Sequence, residues 1–249
     1  MPTLRSSAAA AVLVLSLAAC TGSGSDDAGS TSPATPTASG ASIELRPADT
    51  PACLPDGTSA VTTGPEDDAT LVAYAGTGTK GVVLAPQSEG GPCQWAGQLP
   101  RLADEGYVVA TFSWSADDKA SFLAAVDVLR SLGATDVALV GASKGGTYAA
   151  ALADDVDPVA VVALGPPSSF EGLNAMPASS DYTGPLLVIA STDDPNVGVS
   201  SSRAVSRKDD PSTFLELSGR AHGVELFDTP HRQQVEDAID ATLAEGFGG

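Results

Sequence analysis

Hydrophobic residues along this chain occur mainly in short continuous runs, separated by segments in which they recur at helical spacing. The runs are four to six residues long and cover 71–74, 81–85, 107–112, 137–140, 159–164 and 186–190, and a last strand is predicted over 213–217. Such runs are typical of strands buried on both faces of a parallel sheet. Because strand and helix patterns alternate from residue 43 onward, we predict an α/β fold in which helices cover both faces of a mostly parallel sheet.

The segments between the runs carry the helix signals. Asp117 or Asp118 is placed to cap a helix that extends to Leu132, and Thr229 with Pro230 has the pattern of a helix start. Further helices are predicted over 95–106 and 147–152, and another follows Pro195 and extends to Lys208. The intervening residues 165–184 are rich in proline, serine and glycine, which leaves room for a loop or a short helix but for no large cap domain.

A pattern of chemical interest lies between the predicted strand 137–140 and the predicted helix 147–152. Residues 141–145 read GASKG and match G-x-S-x-G, and strand, sharp turn and helix are the context of a nucleophile elbow. Glycine suits such a turn because a larger side chain would collide with the crossing helix. The helix N-terminus also presents amide N–H groups where an oxyanion would develop. We therefore predict that Ser143 is a nucleophile.

A serine hydroxyl needs a base to remove its proton, and the chain contains two histidines. His222 lies in a glycine-flanked loop directly after the predicted strand 213–217, where a side chain can reach over the carboxyl edge of the sheet. His231 lies in the first turn of the last predicted helix, beside charged and polar residues, a position typical of a solvated side chain. We assign the role of base to His222.

A carboxylate that would orient the histidine is predicted in the turn after strand 186–190. Two candidates occur there, Asp193 and Asp194. Either one gives the order Ser, Asp, His along the chain, which is the order expected of hydrolases that use this elbow. All three functional residues would then follow the carboxyl ends of strands, the edge at which open α/β sheets collect catalytic groups.

From Thr70 to the C-terminus the sequence resembles small, capless α/β-hydrolases of the dienelactone hydrolase-like kind. In that family the acid turn often reads G-x-x-D-P, and residues 191–195 read STDDP, with Ser191 in the glycine place. The resemblance implies Asp194 as the triad acid, with Asp193 as the alternative or as a turn residue. It also implies a serine hydrolase that cleaves a small or extended ester-type substrate through an acyl-enzyme, and no motif in the sequence calls for a cofactor or a metal.

The resemblance also indicates an oxyanion hole made of two backbone N–H groups. One belongs to Lys144, and the other to Gln87, because residues 84–87 read LAPQ and align with Leu-Ala-His-Gln of relatives. Pro86 has no N–H group and departs from the usual histidine. We expect the side chain of Lys144 to point to solvent, and Trp114 either to line the pocket or to cover the sheet edge.

The first twenty residues predict export. Arg5 precedes an apolar run over 8–19, which is too short to span a bilayer but typical of the core of a secretory signal peptide. Residues 17–20 read LAAC and resemble the lipobox of bacterial lipoproteins, so we predict removal of residues 1–19 and a lipid on Cys20. An ordinary signal peptide that happens to include this cysteine is the alternative.

The predicted lipoprotein has two further parts. Residues 20–42 contain the lipidated cysteine and small or polar residues, without a large apolar side chain, which predicts a flexible tether. Residues 43–249 are predicted to form one α/β-hydrolase domain. We therefore expect the protein on the outer face of the cytoplasmic membrane or in the cell envelope, attached to the membrane by the N-terminal lipid alone.

Charge and cysteine content agree with export. The formal net charge is −19, from 31 acidic against 12 basic residues, which argues against nucleic acid and anionic membrane surfaces as partners. Cys53 and Cys93 remain as one candidate disulfide pair, which would close a loop of about forty residues in an oxidising compartment. Because Cys93 lies in the loop that carries the predicted oxyanion donor, the bridge is expected to hold this loop rigid.

Two functions of different classes remain open at this point. The complete set of Ser143, Asp194 and His222 favours an esterase-like serine hydrolase. The proline at position 86 favours a binding or scaffold protein that keeps the fold without turnover, because a fold does not guarantee a function. The sequence contains neither the ligand spacing of a metal site nor the glycine fingerprint of a dinucleotide site.

Overall fold

A computed structural model describes residues 43–248. The predicted signal peptide over 1–19, the predicted lipidation site Cys20 and the tether that extends to residue 42 lie outside the described residues. The strands are β1 Arg46–Ala48, β2 Ser59–Thr63, β3 Thr70–Ala75, β4 Lys80–Ala85, β5 Val108–Phe112, β6 Asp136–Ala142, β7 Val161–Leu164, β8 Ser169–Phe170, β9 Leu173–Asn174, β10 Leu186–Ser191 and β11 Phe214–Leu217. The helices are α1 Gln98–Asp104, α2 Asp118–Ser131, α3 Lys144–Ala151, α4 Ala153–Val156, α5 Val199–Arg203 and α6 Arg232–Gly246.

Nine of the strands form one sheet in the order β1-β2-β3-β5-β4-β6-β7-β10-β11. The pairs from β5 to β11 are parallel, whereas β1, β2 and β3 join the sheet through antiparallel pairs. This arrangement confirms the predicted mostly parallel sheet. The carboxyl ends of β4, β6, β7, β10 and β11 therefore meet along one edge, at which their loops can combine side chains.

Helices cover both faces of the sheet because alternate strand residues point to opposite sides. Val83 in β4 faces a core that includes Phe122 and Leu129 of α2. The neighbouring Val82 faces the other core, together with Leu99 of α1. Helix α3 packs on the first face and α6 on the second. Burial on both faces explains why the central strands read as continuous apolar runs.

The structure differs from the sequence prediction at strands β1 and β2 and at helices α5 and α6. Strands β1 and β2 were not expected, because they lie at the edge of the sheet and lack a continuous apolar run. Helix α5 covers only Val199–Arg203, since the Ser206 hydroxyl binds the Arg203 carbonyl at 2.8 Å and closes the last turn. Helix α6 begins at Arg232, slightly later than the predicted start at Thr229 and Pro230. The six residues that follow His222, Gly223–Asp228, form a separate 3₁₀ helix.

The connection between β7 and β10 leaves no room for a large cap domain, as predicted, but it holds a hairpin where a loop or short helix was expected. It contains the hairpin of β8 and β9 and one turn of 3₁₀ helix, Pro177–Ser179. Within residues 43–248 no cap domain covers the carboxyl edge of the sheet. None of the helices in this range is both long and apolar enough to cross a lipid bilayer.

Candidate active site

Ser143 lies at the sharp turn between β6 and α3. Its backbone has φ 49° and ψ −117°, a conformation that residues other than glycine rarely adopt. The Ser143 N–H donates to the carbonyl of Leu164 at the end of β7, at 2.8 Å. The serine is half-buried. The neighbouring strand therefore holds this strained turn in place.

Gly145 allows the helix of this turn to approach the loop after β4. A Cβ atom on Gly145 would lie 2.3 Å from the Ala85 carbonyl oxygen and 2.6 Å from that of Pro86. Neither oxygen can move away, because both belong to the backbone. The glycine in the motif is thus required by the close approach of α3 to the loop that carries the predicted oxyanion donor.

His222 and Asp194 form a buried hydrogen-bonded pair. Nδ1 of His222 lies 2.6 Å from Oδ2 of Asp194, and the two side chains are 6% and 0% exposed. The other carboxylate oxygen accepts from the N–H groups of Asn196 and Val197, at 2.8 and 3.1 Å. These bonds fix the carboxylate, which in turn fixes the orientation of the imidazole.

Of the two candidate carboxylates, the structure brings Asp194 and not Asp193 to the histidine. The side chain of Asp193 is exposed, and its N–H donates to the Gly219 carbonyl in the following loop at 2.9 Å. Asp193 thus joins two loops through its backbone. His231 lies elsewhere, with Nε2 3.2 Å from the Ser218 hydroxyl.

The serine and the histidine are brought to the same place by the loop after β7. Leu164 accepts the N–H of Ser143, and the next residue, Gly165, packs against the acid and the base. A Cβ atom on Gly165 would lie 3.2 Å from His222 Nδ1 and 3.4 Å from Asp194 Oδ2. In the described part of the chain the Ser143 hydroxyl and the His222 ring are not joined by a hydrogen bond.

Gln87 connects three parts of the site. Its carbonyl accepts from the indole Nε1 of Trp114 at 3.0 Å, and its side-chain Oε1 accepts from the N–H of Val224 at 2.8 Å. Its own backbone N–H donates to Oε1 of Gln94 at 2.9 Å. The N–H group that the sequence assigns to the oxyanion hole is therefore already bonded to a side chain of the same loop. Nothing in the sequence pattern signals this contact.

Cys53 and Cys93 form a disulfide, which confirms the predicted pairing. Their Cα atoms are 5.6 Å apart, a separation within the usual range for a bridge. Cys93 directly precedes Gln94 in the 3₁₀ helix Pro92–Trp95. We refer to residues 86–94, which follow β4, as the oxyanion loop. The bridge therefore joins the segment before β2 to the part of this loop that contacts Gln87.

The side chain of Lys144 does not point to solvent, so that expectation is wrong. Only 9% of the side chain is exposed, and Nζ lies 2.5 Å from Oδ2 of Asp118. The ammonium also lies 4.2 Å from the ring centroid of Trp114, 5.5 Å from that of Phe170 and 5.8 Å from that of Tyr148. An ammonium is attracted both to a carboxylate and to aromatic faces. We refer to Trp114, Asp118, Tyr148 and Phe170 as the aromatic cage.

Acidic groups surround the aromatic cage. Burial, followed by the charge of Asp118, raises the pKa of the Tyr148 hydroxyl well above its ordinary value, and Glu171 and Asp117 act in the same direction. The hydroxyl lies 3.4 Å from Asp118 Oδ2. Tyr148 therefore stays protonated, and the ammonium of Lys144 balances part of the negative charge around it. Within residues 43–248 no group of three or more potential metal ligands occurs.

Comparison with known proteins gives relatives by structure alone. No protein-family model matches the sequence, and no curated protein matches it significantly. Among solved structures, an alpha-beta serine hydrolase homologue from Coxiella burnetii aligns with a TM-score of 0.57 and 17% identity, over 74% of this chain and 96% of that one. An esterase from Pyrococcus furiosus aligns with a TM-score of 0.57 and 18% identity, over 74% and 90% of the two chains.

A third similar structure is a dienelactone hydrolase-like promiscuous phosphotriesterase from metagenomic libraries. It aligns with a TM-score of 0.56 and 18% identity, over 76% of this chain and 97% of that one. These alignments confirm that the chain has the α/β-hydrolase fold, including the predicted mostly parallel sheet with helices on both faces. At such identities a likeness establishes the fold and not the reaction.

Proposed function

We propose that this protein is a serine hydrolase that cleaves small or extended ester-type substrates, with Ser143, His222 and Asp194 as its triad. One observation carries the proposal: a buried His222–Asp194 pair, 2.6 Å apart, lies at the strand edge that also presents the strained Ser143 turn. A structural histidine would not need a carboxylate fixed by two further N–H donors beside a half-buried serine. The fold shared with esterases agrees with this function.

In the proposed reaction, Ser143 Oγ forms a bond to the carbonyl carbon of the substrate. Nε2 of His222 takes the hydroxyl proton, while Asp194 stabilises the resulting imidazolium through Nδ1. The negative charge passes to the carbonyl oxygen, which the backbone N–H of Lys144 and that of Gln87 would bind. The carbonyl then re-forms as the bond between its carbon and the ester oxygen breaks, and the leaving alkoxide receives the proton from His222. The acyl group remains on Ser143.

The second half of the reaction repeats these roles with water. His222 takes a proton from water, the hydroxide attacks the acyl carbon, and the bond to Ser143 Oγ breaks as the serine regains its proton. Catalytic hydrogen bonds are commonly long in enzymes without substrate and tighten when it binds. A missing hydrogen bond between Ser143 and His222 in the described residues therefore does not exclude this pair.

The proposal is tested by reaction with a fluorophosphonate probe, which labels only an activated serine. Wild-type protein is expected to be labelled and to hydrolyse p-nitrophenyl acetate, and Ser143→Ala to do neither. Ser200→Ala is the matched control. It also removes a serine hydroxyl, but from an exposed residue outside the proposed triad. Equal labelling of wild type and Ser143→Ala would contradict the proposal.

We further propose that the protein acts outside the cytoplasm as a lipoprotein anchored through Cys20. The disulfide between Cys53 and Cys93 supports an oxidising compartment. The anchor is tested by mass spectrometry of the N-terminal peptide and by partition into detergent. Cys20→Ser is expected to abolish the lipid mass and the partition, and unlipidated wild-type protein would overturn this part of the proposal.

A second candidate function is favoured by the occupied N–H of Gln87. A protein whose oxyanion donor is permanently bonded to Gln94 would bind a ligand at the cell surface without turning it over. Fluorophosphonate labelling separates the two candidates, because a serine without a formed oxyanion site reacts slowly. A folded wild-type protein that is not labelled would favour the binding function.

A further inference from the structure

The proposed reaction uses the backbone N–H of Lys144 and gives its side chain no role. The other three lysines, Lys80, Lys119 and Lys208, are all exposed, whereas Lys144 is 7% exposed. Burying an ammonium costs free energy unless it is paired. A buried lysine immediately after the proposed nucleophile therefore calls for a functional explanation.

The surroundings of the Lys144 ammonium have the chemistry of a binding site for cations. Aromatic faces together with a carboxylate are the groups with which proteins hold quaternary ammonium ligands. The aromatic cage offers three rings within 6 Å of Nζ and one carboxylate at 2.5 Å. In this chain the occupant of the cage is its own lysine.

The aromatic cage lies against the proposed site. Lys144 follows Ser143 directly in the chain, and Trp114 donates to the carbonyl of Gln87 at 3.0 Å. The side chain of Gln87 in turn accepts from Val224, two residues after His222. One wall of the cage is therefore bonded to the oxyanion loop, which is bonded to the loop of the base. Two connections therefore link the cage to the proposed site: the chain itself, from Ser143 to Lys144, and the Trp114–Gln87 hydrogen bond.

We propose that the side chain of Lys144 is a specificity determinant: it fills the aromatic cage beside Ser143 and so limits the substrate to a short, uncharged group on that side of the scissile bond. The consequence for turnover rests on the proposed hydrolase function. The occupation of the cage by Lys144 does not depend on that function, because ligand binding alone can measure it. Removal of the side chain is expected to open a pocket that takes a quaternary ammonium group.

The experiment measures choline binding by calorimetry and by quenching of tryptophan emission. The chain contains two tryptophans, and Trp95 is fully buried, so the quenching reports on Trp114. Lys144→Ala is expected to bind choline at least about tenfold more tightly than wild type. Lys144→Met, which refills the cage without a charge, is expected to behave as wild type. Lys119→Ala is the charge-matched control, because Lys119 is half exposed and pairs with Asp155.

A second variant guards against misfolding, since Lys144→Ala leaves Asp118 without its partner. The double variant Lys144→Ala with Asp118→Asn removes the unpaired charge and keeps the three rings. It is expected to bind choline more weakly than Lys144→Ala but more tightly than wild type. Equal choline binding by wild type and the folded single or double variant would overturn the proposal.

An activity measurement separates this inference from the proposed function. The rate ratio of p-nitrophenyl hexanoate to p-nitrophenyl acetate is expected to rise at least about tenfold in Lys144→Ala and to stay unchanged in Lys119→Ala. If Lys144→Ala binds choline more tightly but neither wild type nor any variant hydrolyses an ester, the hydrolase function is rejected. The inference that Lys144 fills the cage then still holds. Hydrolysis with unchanged choline binding and an unchanged ratio would reject the role of Lys144.

Discussion

The backbone N–H of Gln87 donates to the side-chain oxygen of Gln94 at 2.9 Å. This N–H is the one that the sequence assigns to the oxyanion hole, so Gln94 binds the group that a developing oxyanion would need. An N–H group that is shared between two acceptors makes a weaker hydrogen bond to each of them than to a single acceptor. If the protein turns over esters, Gln94 therefore competes with the transition state and has to move away.

The competition predicts that Gln94→Ala raises kcat. A hydrogen bond of this kind contributes about 1 kcal/mol, so its loss is expected to accelerate hydrolysis about fivefold. Gln94→Glu is expected to lower kcat, because a charged acceptor binds the N–H more strongly. Steady-state kinetics on p-nitrophenyl acetate measure both, with Gln233→Ala on α6 as control. A slower Gln94→Ala variant would show that this side chain supports the site.

The bond between Asp194 and His222 predicts a large effect of Asp194→Asn. The amide keeps the shape of the side chain but no longer stabilises the imidazolium, so kcat/KM is expected to fall about a thousandfold or more. Asp193→Asn is the matched control, because its exposed side chain does not contact the histidine. Comparable losses in the two variants would remove Asp194 from the triad.

The disulfide predicts a loss of stability when it is removed. A bridge between residues 40 positions apart contributes about 4 kcal/mol in the chain-entropy model, which corresponds to a Tm lower by about 10 °C in a domain of this size. The double variant Cys53→Ala with Cys93→Ala is expected to show this decrease in thermal unfolding without reductant. When reductant is added, the Tm of the wild type is expected to fall towards that of the variant, whereas the Tm of the variant is expected to stay unchanged. A Tm equal to that of oxidised wild type would contradict the prediction.

Alkaline pH is expected to destabilise the domain through the buried Tyr148 and the half-buried Tyr182. Burial and Asp118 raise the pKa of Tyr148 above the ordinary 10.0, and burial raises that of Tyr182. The unfolded chain loses these protons near pH 10 while the folded chain retains them, so their contribution is complete below pH 10 and is lost as the pH rises above it.

Denaturant unfolding at pH 9 and pH 11 measures this effect. Tyr148→Phe, which has no proton to lose at this position, is expected to lose less stability between the two values than wild type does. The variant retains the ring that packs against Trp114, so the comparison isolates the hydroxyl. An identical loss in both proteins would exclude Tyr148 as a source of the pH dependence.

The sheet could be predicted from the sequence because strands buried on both faces must be apolar throughout. The run over 137–140, for example, lies within β6, which is buried along almost its whole length. Strand β2 was missed because its residues, SAVTT, pair antiparallel near the edge and mix apolar with hydroxyl side chains. Helix α5 was overpredicted because a polar segment of small residues gives no signal for where a helix ends.

Only those parts of the candidate site that directly follow predicted strands could be predicted from the sequence. Ser143, Asp194 and His222 each follow a strand, so the order of elements placed them at one edge. The contact of Gln94 with the Gln87 N–H depends on the conformation of one loop, and the contacts of Lys144 depend on side chains brought together by tertiary packing. Asp118 precedes Lys144 by 26 positions and Phe170 follows it by another 26, and no local pattern connects them. A lysine is exposed by default, which is why its burial was not anticipated.

Strand β11 pairs with β10 on one side only and is the last strand of the sheet. Local opening is easiest where few backbone hydrogen bonds must break, so the amide protons of β11 should exchange with solvent sooner than those of β6. His222 is attached to this strand, whereas Ser143 is attached to the interior one. The two halves of the proposed proton-transfer pair thus belong to regions with different local stabilities. Mild denaturation should abolish activity while most of the sheet is still intact.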